Sequence, residues 1–187
     1  VEPIRELYDA GVRVFGESRV TELAEKAARL PEDIEWHFIG RLQSNKARKA
    51  VQLAKVIHSV DSAALLERLD RIAGEERKRP AVLLEVNVSG EASKAGVPVA
   101  ELEPFARRAA ACANLDFRGF MTMAPFDAEP VKIAAIFELL RLTRDELEAK
   151  LGRELPELSM GMSGDYEIAA RHGSTIVRVG TLIFGTR

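Results

Sequence analysis

Strands and helices alternate along this sequence from one end to the other, and that alternation leaves few folds open. Apolar, β-branched runs predict strands near residues 12–15, 35–39, 55–59, 81–88, 117–121, 158–161 and 175–179. Between them lie segments with helical spacing. One runs from Arg19 to about Leu30, and a short one ends near Leu53. A third opens at Asp61 and puts Leu65, Leu66, Leu69 and Ile72 on one face. Pro98–Ala113 and Pro130–Leu151 follow, the latter with Ile133, Ile136, Phe137, Leu140 and Leu147 inward. A helix carrying Ile4, Leu7 and Tyr8 precedes the first strand and ends at Gly11. Strands alternating with amphipathic helices mean a parallel sheet covered by helices. Seven strands with a helix in front predict an α/β fold, a (β/α)8 TIM-type barrel whose first strand is missing from this chain. A doubly wound open sheet is the alternative, but no G-x-G-x-x-G fingerprint stands at a first strand-to-helix turn.

A barrel reading assigns chemistry to the C-terminal ends of its strands. Polar residues gather there: Glu17 and Ser18, Arg41 with the Gln43–Lys46 loop, His58, Ser59 and Asp61, Asn87, Ser89, Glu91 and Lys94, then Thr122. Ser18 and Asp61 are predicted to cap the helices that follow them. The last two strands end in Ser163-Gly164-Asp165 and in Arg178-Val179-Gly180-Thr181. Small and hydroxyl residues at helix N-termini expose backbone N–H groups, the chemistry of an anion or phosphate site. In barrels such a site is commonly built from the loops after strands seven and eight. The same residues also suit two ordinary tight turns.

At 187 residues the chain is read as a single domain, residues 1–187, and 47% hydrophobic residues allow a substantial core. A formal net charge of -2 argues against a dedicated nucleic-acid binder, and the basic stretch Arg41–Lys49 reads as a solvated loop and helix face. Cys112 alone cannot form an intrachain disulfide; it fits a reducing cytoplasm and a small packed side chain in an Ala-rich helix. No apolar run approaches the roughly 18 residues that would suggest a membrane span, and no signal peptide is visible. His37, His58 and His172 lack metal-ligand spacing, so no metal site is expected, and no G-x-S-x-G elbow supports a serine nucleophile.

Several strings carry a family resemblance. They are Phe15-Gly-Glu-Ser-Arg-Val20, Trp36-His-Phe-Ile-Gly-Arg-Leu-Gln-Ser-Asn-Lys46, Ile57-His-Ser-Val-Asp61, Val86-Asn-Val-Ser89 and Glu91-Ala-Ser-Lys-Ala-Gly96. Gly119-Phe-Met-Thr-Met-Ala-Pro125, Leu158-Ser-Met-Gly-Met-Ser-Gly-Asp165 and the stretch from Gly173 to Arg187 complete them. The chain resembles the YggS/PROSC family of pyridoxal phosphate homeostasis proteins over essentially its whole length. The resemblance implies a barrel of the alanine racemase N-terminal-domain type that binds pyridoxal 5′-phosphate (PLP), without robust catalytic turnover. It implies a cytoplasmic monomer whose partners are PLP, or a phosphate or sulfate anion, together with PLP-dependent apo-enzymes, and neither nucleic acid nor membrane.

Carried over residue by residue, the family's phosphate contacts match Ser163, Gly180 and Thr181, and its pyridine-nitrogen partner matches Arg178. An arginine does not readily give up a full proton, which disfavours transaminase-like carbanion chemistry. The family's Gly-Glu-Asn beside the cofactor is here Gly16-Glu17-Ser18, so Ser18 is a further candidate contact with a shorter side chain. The family's Schiff-base lysine belongs to a stretch before Val1, so no catalytic residue is assigned. The alternative is a PLP-dependent racemase-like enzyme, or a barrel enzyme acting on a phosphorylated metabolite. Racemases of the related fold add a second domain with a catalytic tyrosine, and Tyr8 and Tyr166 stand in helical contexts instead.

Overall fold

The computed structural model describes residues 1–91 and 95–185. Lys94, counted above among the polar residues at the strand ends, lies outside them, as do Thr186 and Arg187. The elements in chain order are α1 (Glu2–Asp9), β1 (Val14–Glu17), α2 (Val20–Ala27), β2 (Glu35–Phe38), α3 (Ala47–Leu53), β3 (Val56–Val60) and α4 (Ala63–Glu76). Then come β4 (Ala81–Asn87), a two-residue β5 (Val97–Pro98), α5 (Leu102–Ala111), β6 (Asp116–Met121) and α6 (Pro130–Leu151). β7 (Glu157–Met162), α7 (Tyr166–Arg171), β8 (Ile176–Arg178) and α8 (Thr181–Phe184) close the chain.

All strand pairs are parallel, and the strands lie side by side in chain order, β1-β2-β3-β4-β6-β7-β8, with β5 attached to β4. A doubly wound sheet would reverse its order at a switch point, and this one never does. The sheet also curls on itself. His58 on β3 and Ser159 on β7 are separated by two intervening strands, yet their side chains meet at 2.8 Å. That geometry is the barrel predicted from the alternation. Among the described residues no pairing joins β8 to β1, so the wall has one open seam, flanked by the half-exposed Val14 and Val177.

The core has two parts, separated by strand parity. Val82, Leu84 and Val86 of β4 face outward into the large cluster under the helices, with Phe38, Phe117, Phe137 and Leu158. Ala81 and Leu83 face inward and meet Val56, Met121 and Ile176 inside the barrel. The register slips between Val82 and Leu83 where β4 meets β6. Gly119 stands at the slip with a φ of +148°, and on its other side β7 comes so near that a Cβ would lie 1.9 Å from the Glu157 carbonyl oxygen.

Two predicted caps are corrected. Arg19, not Ser18, stands at the N-cap of α2, with no side-chain cap bond. Ser62, not Asp61, caps α4, its Oγ accepting from Leu65 N at 3.3 Å. A hydroxyl at the true N-cap position reaches the N3 amide, whereas Asp61 lies one residue too early.

Candidate functional site

The loops after β7 and β8 meet through one hydroxyl. Ser163 Oγ accepts from the backbone N–H of Gly180 at 3.2 Å and of Leu182 at 3.3 Å. With both lone pairs engaged, the Ser163 O–H is left to donate outward. Gly180 forms the N-cap of the short α8, and Thr181 is its first residue. A Cβ built on Gly180, or on Gly164, would meet no protein atom within 4 Å, so the backbone here fronts open space. Asp165 stabilises the first loop from below, its Oδ1 accepting from Met162 N at 2.6 Å.

Two residues before Gly180, Arg178 points into the barrel. Strand parity puts it on the same face as Ile176, which packs on the inner cluster. Its Nη2 donates to the Thr122 carbonyl at 2.9 Å and its Nη1 to Ser159 Oγ at 2.5 Å. Thr122 is fixed in turn by its own hydroxyl, which donates to the Val86 carbonyl at 2.8 Å. Burial pushes the Arg178 pKa down to about 10, against the attraction of Asp165 and Glu85. The guanidinium therefore remains a cation at neutral pH.

The interior is more polar than the chain pattern shows at first reading. Behind Ser159, His58 Nδ1 lies 2.8 Å from the hydroxyl, and its Nε2 lies 2.9 Å from His37 Nδ1. Burial, then the neighbouring His37 and Arg178, push the His58 pKa well below the usual histidine value, so its ring is neutral. Glu85 also faces inward by parity with Leu83 and is 4% exposed. Desolvation, reinforced by Asp61 and opposed by Arg178 and Arg41, raises its pKa to about 7. No hydrogen bond engages the Glu85 carboxyl among the described residues.

Other sequence candidates lie elsewhere. Glu17 shares the outward face of β1 with Phe15 and is ion-paired with Lys26 beneath α2, so it is a packing residue and not part of the mouth. Ser18 is exposed and lines a separate cleft of about 1060 Å³ over β1–β3, with Arg19, Arg41, Lys46 and Asp61. No contact among the described residues joins it to Ser163 or Gly180. Gly40 holds this region close, since a Cβ there would sit 2.1 Å from the Ser18 carbonyl oxygen. Cys112 ends α5, and burial, with Asp70 and Glu67 nearby, raises its thiol pKa to about 11, which makes it a poor nucleophile. Among the described residues no cluster of His, Cys, Asp or Glu could hold a metal ion, and no helix is long and apolar enough to cross a membrane.

Sequence reasoning missed the His37–His58–Ser159 connection and Glu85. The available signal was parity: Glu35 and His37, or Glu85 and Asn87, place polar groups at alternate positions of otherwise apolar strands.

Comparison with known proteins adds findings of three kinds. The family model described as alanine racemase, N-terminal domain, matches residues 1–187. A pyridoxal phosphate homeostasis protein of Aquifex aeolicus is 42% identical over 187 residues, covering 100% of this chain and 82% of that protein. The Escherichia coli protein of the same name is 37% identical over 188 residues, covering 98% and 80%. Among solved structures, Synechococcus elongatus PipY without PLP aligns with a TM-score of 0.94 at 44% identity, covering 98% of this chain and 87% of that one. The same protein with PLP bound aligns at 0.91 and 43%. Alanine racemase of Clostridium difficile, 14% identical with a TM-score of 0.81 and 48% of its chain covered, shares the fold.

Proposed function

The chain belongs to the alanine racemase N-terminal domain family and, within it, to the pyridoxal phosphate homeostasis proteins, and on that premise we propose that it binds PLP at the mouth formed by β7, β8 and their loops. Its role is to hold and release the cofactor within PLP homeostasis, without robust turnover of its own. The observation that carries the reading is the cradle: the Ser163 hydroxyl, held by the Gly180 and Leu182 amides and left to donate its own proton, faces the start of α8 where a Cβ on Gly180 would meet only open space. A hydroxyl donor beside open glycine backbone at a helix start suits a phosphate.

The residues present fit PLP. Ser163, Gly180 and Thr181 would hold its phosphate. Arg178, anchored on Ser159 and Thr122, would offer its remaining N–H groups to the ring nitrogen. As a donor that stays protonated at neutral pH, it would leave that nitrogen unprotonated. When bound, PLP supplies an aldehyde reactive toward amines and an electron-withdrawing ring. Leaving the ring nitrogen unprotonated weakens the second property, which disfavours transaminase-like carbanion chemistry. Ser18 is a more distant candidate, from the cleft over β1–β3. We extend the reading to a cytoplasmic monomer that passes PLP to apo-enzymes requiring it. Family likeness supports that extension, and the single inert thiol is compatible with a reducing compartment.

The test is a spectroscopic PLP titration of the wild-type protein and Ser163→Ala. The variant loses a donor to the phosphate, so its affinity should fall about tenfold or more. Equal affinities would remove Ser163 from the site. Competition by inorganic phosphate should displace PLP from the wild-type protein, and its failure to do so would argue against a phosphate cradle.

A further inference from the structure

A polar column crosses the barrel from Arg178 to its base. Arg178 Nη1 donates to Ser159 Oγ at 2.5 Å, and Ser159 Oγ lies 2.8 Å from His58 Nδ1. His58 Nε2 lies 2.9 Å from His37 Nδ1, and His37 Nε2 lies 3.1 Å from Glu35 Oε1. Glu35 opens β2 at the N-terminal end of the barrel, with its side chain 43% exposed. His58 and Ser159 are fully buried, and His37 nearly so.

We propose that Ser159, His58, His37 and Glu35 form a one-way hydrogen-bond relay that orients the Arg178 guanidinium toward its ligand, with the Glu35 carboxylate setting the direction. This rests on reading Arg178 as a ligand contact. The direction follows from what each end can do. A guanidinium only donates and an ionised carboxylate only accepts. The four contacts between them need one proton each. Arg178, the Ser159 hydroxyl, a neutral His58 and a neutral His37 supply one proton apiece. That assignment makes Nδ1 the acceptor and Nε2 the donor on both rings.

The opposite arrangement fails at the base. If His58 carried its proton on Nδ1, His37 would have to donate from Nδ1 and turn a bare Nε2 toward the carboxylate, acceptor against acceptor. Adding a proton to His37 repairs that contact. It also places a buried cation beside His58 and leaves the Ser159 hydroxyl proton without an acceptor in the column. The neutral one-way chain satisfies every contact, and the depressed His58 pKa agrees with it. Ser159 thereby becomes a fixed acceptor for Arg178. With the Thr122 carbonyl taking Nη2, two anchors define the plane of the guanidinium. Ser159 and His58 are positioning residues, since they act on a ligand through Arg178.

The experiment has two arms. In the first, protein labelled with 15N-histidine and free of ligand is measured near neutral pH by long-range proton–nitrogen correlation. Both His37 and His58 should be Nε2–H tautomers. An Nδ1–H or doubly protonated His58 would overturn the relay. Glu35→Leu, at the solvent-reached base, should leave His37 exchanging between tautomers. A His37 tautomer unchanged in that variant would overturn Glu35 as the group that sets direction. In the second arm, PLP is titrated into Ser159→Ala and Ser159→Thr. The alanine variant should bind about tenfold more weakly, and the threonine variant, which keeps the hydroxyl, should recover most of that loss. Undiminished binding by folded Ser159→Ala would overturn the positioning role. A wild-type protein that takes up no PLP would sink the PLP reading alone, while the tautomer arm would still decide the relay.

Discussion

The inside of this barrel has two unlike halves. On one side Val56, Ala81, Leu83 and Met121, joined by Ile176, form a small apolar plug. On the other, Glu35, His37, His58, Ser159 and Arg178 form a hydrogen-bonded column. Both sit on the inward parity of strands in one sheet. The plug can be stabilised by any side chains of the right volume, because dispersion and burial have no direction. The column is specific in kind as well as size: each member must be a donor or an acceptor at a given atom. Arg178 belongs to the column, and the mouth above it is the proposed ligand site. Apolar packing thus supports the wall, while the polar half holds the group that would meet the ligand.

The sharpest way to separate the halves is to damage the plug. Leu83→Ala should cost about 3 kcal/mol of stability in chemical denaturation, the usual range for a fully buried leucine. The PLP affinity of the folded molecules should be unchanged within about twofold. A large affinity loss would show that the two halves are not independent.

Glu85 lies at the boundary and tests the polar half through pH. Its folded pKa, about 7, is raised from 4.5, so the native state holds its proton more tightly than the unfolded chain. Stability should therefore fall as pH rises from 4.5 to 7, by up to about 3 kcal/mol. Glu85→Gln should be more stable than wild type by roughly that amount at pH 8 and indistinguishable from it below pH 4. His58 acts in the opposite sense. Its depressed pKa favours the native state above the unfolded value near 6.5, and that contribution is lost as pH falls below it. Denaturation midpoints of the Glu85 variant across pH 4–8 should thus drop on the acid side without the neutral-side fall. A parallel pair of curves for variant and wild type would contradict the Glu85 assignment.

The smallest expected effect is at Ser59. It is buried on β3 beside His58, and its hydroxyl has no hydrogen-bond partner among the described residues. Ser59→Ala removes an unsatisfied polar atom, so the variant should be as stable as wild type or more so by less than about 1 kcal/mol. Destabilisation by more than that in thermal melts would show that the Ser59 hydroxyl is hydrogen-bonded and contradict this expectation.

Most of the wall was legible in the chain, and the column was not. Apolar runs such as Ala81–Val88 and the long stripe of Pro130–Leu151 declared their elements, because burial on both faces or on one face leaves a period. The Ser163 and Gly180–Thr181 pair was also legible as two small-residue strand ends, since barrel loops seven and eight are neighbours. The relay was hidden for two reasons. Its members are single polar residues in short strands, and His58 and Ser159 stand 101 residues apart. Parity places each on the inner face, but only the curl of the sheet decides which of them touch. The short β5 escaped for a related reason: two residues, Val97 and Pro98, carry no period at all.

The central claim is that the mouth over β7 and β8 holds the ligand's phosphate, and calorimetric titration of PLP into two variants tests it most directly. At Gly180 the φ is −118° and a Cβ would meet no protein atom within 4 Å, so Gly180→Val can fold while filling the cradle. Lys46 lines the separate cleft over β1–β3. Gly180→Val should abolish measurable binding, whereas Lys46→Ala should bind within about twofold of wild type. Equal losses in the two variants would contradict the account and point to a diffuse basic surface in place of the cradle.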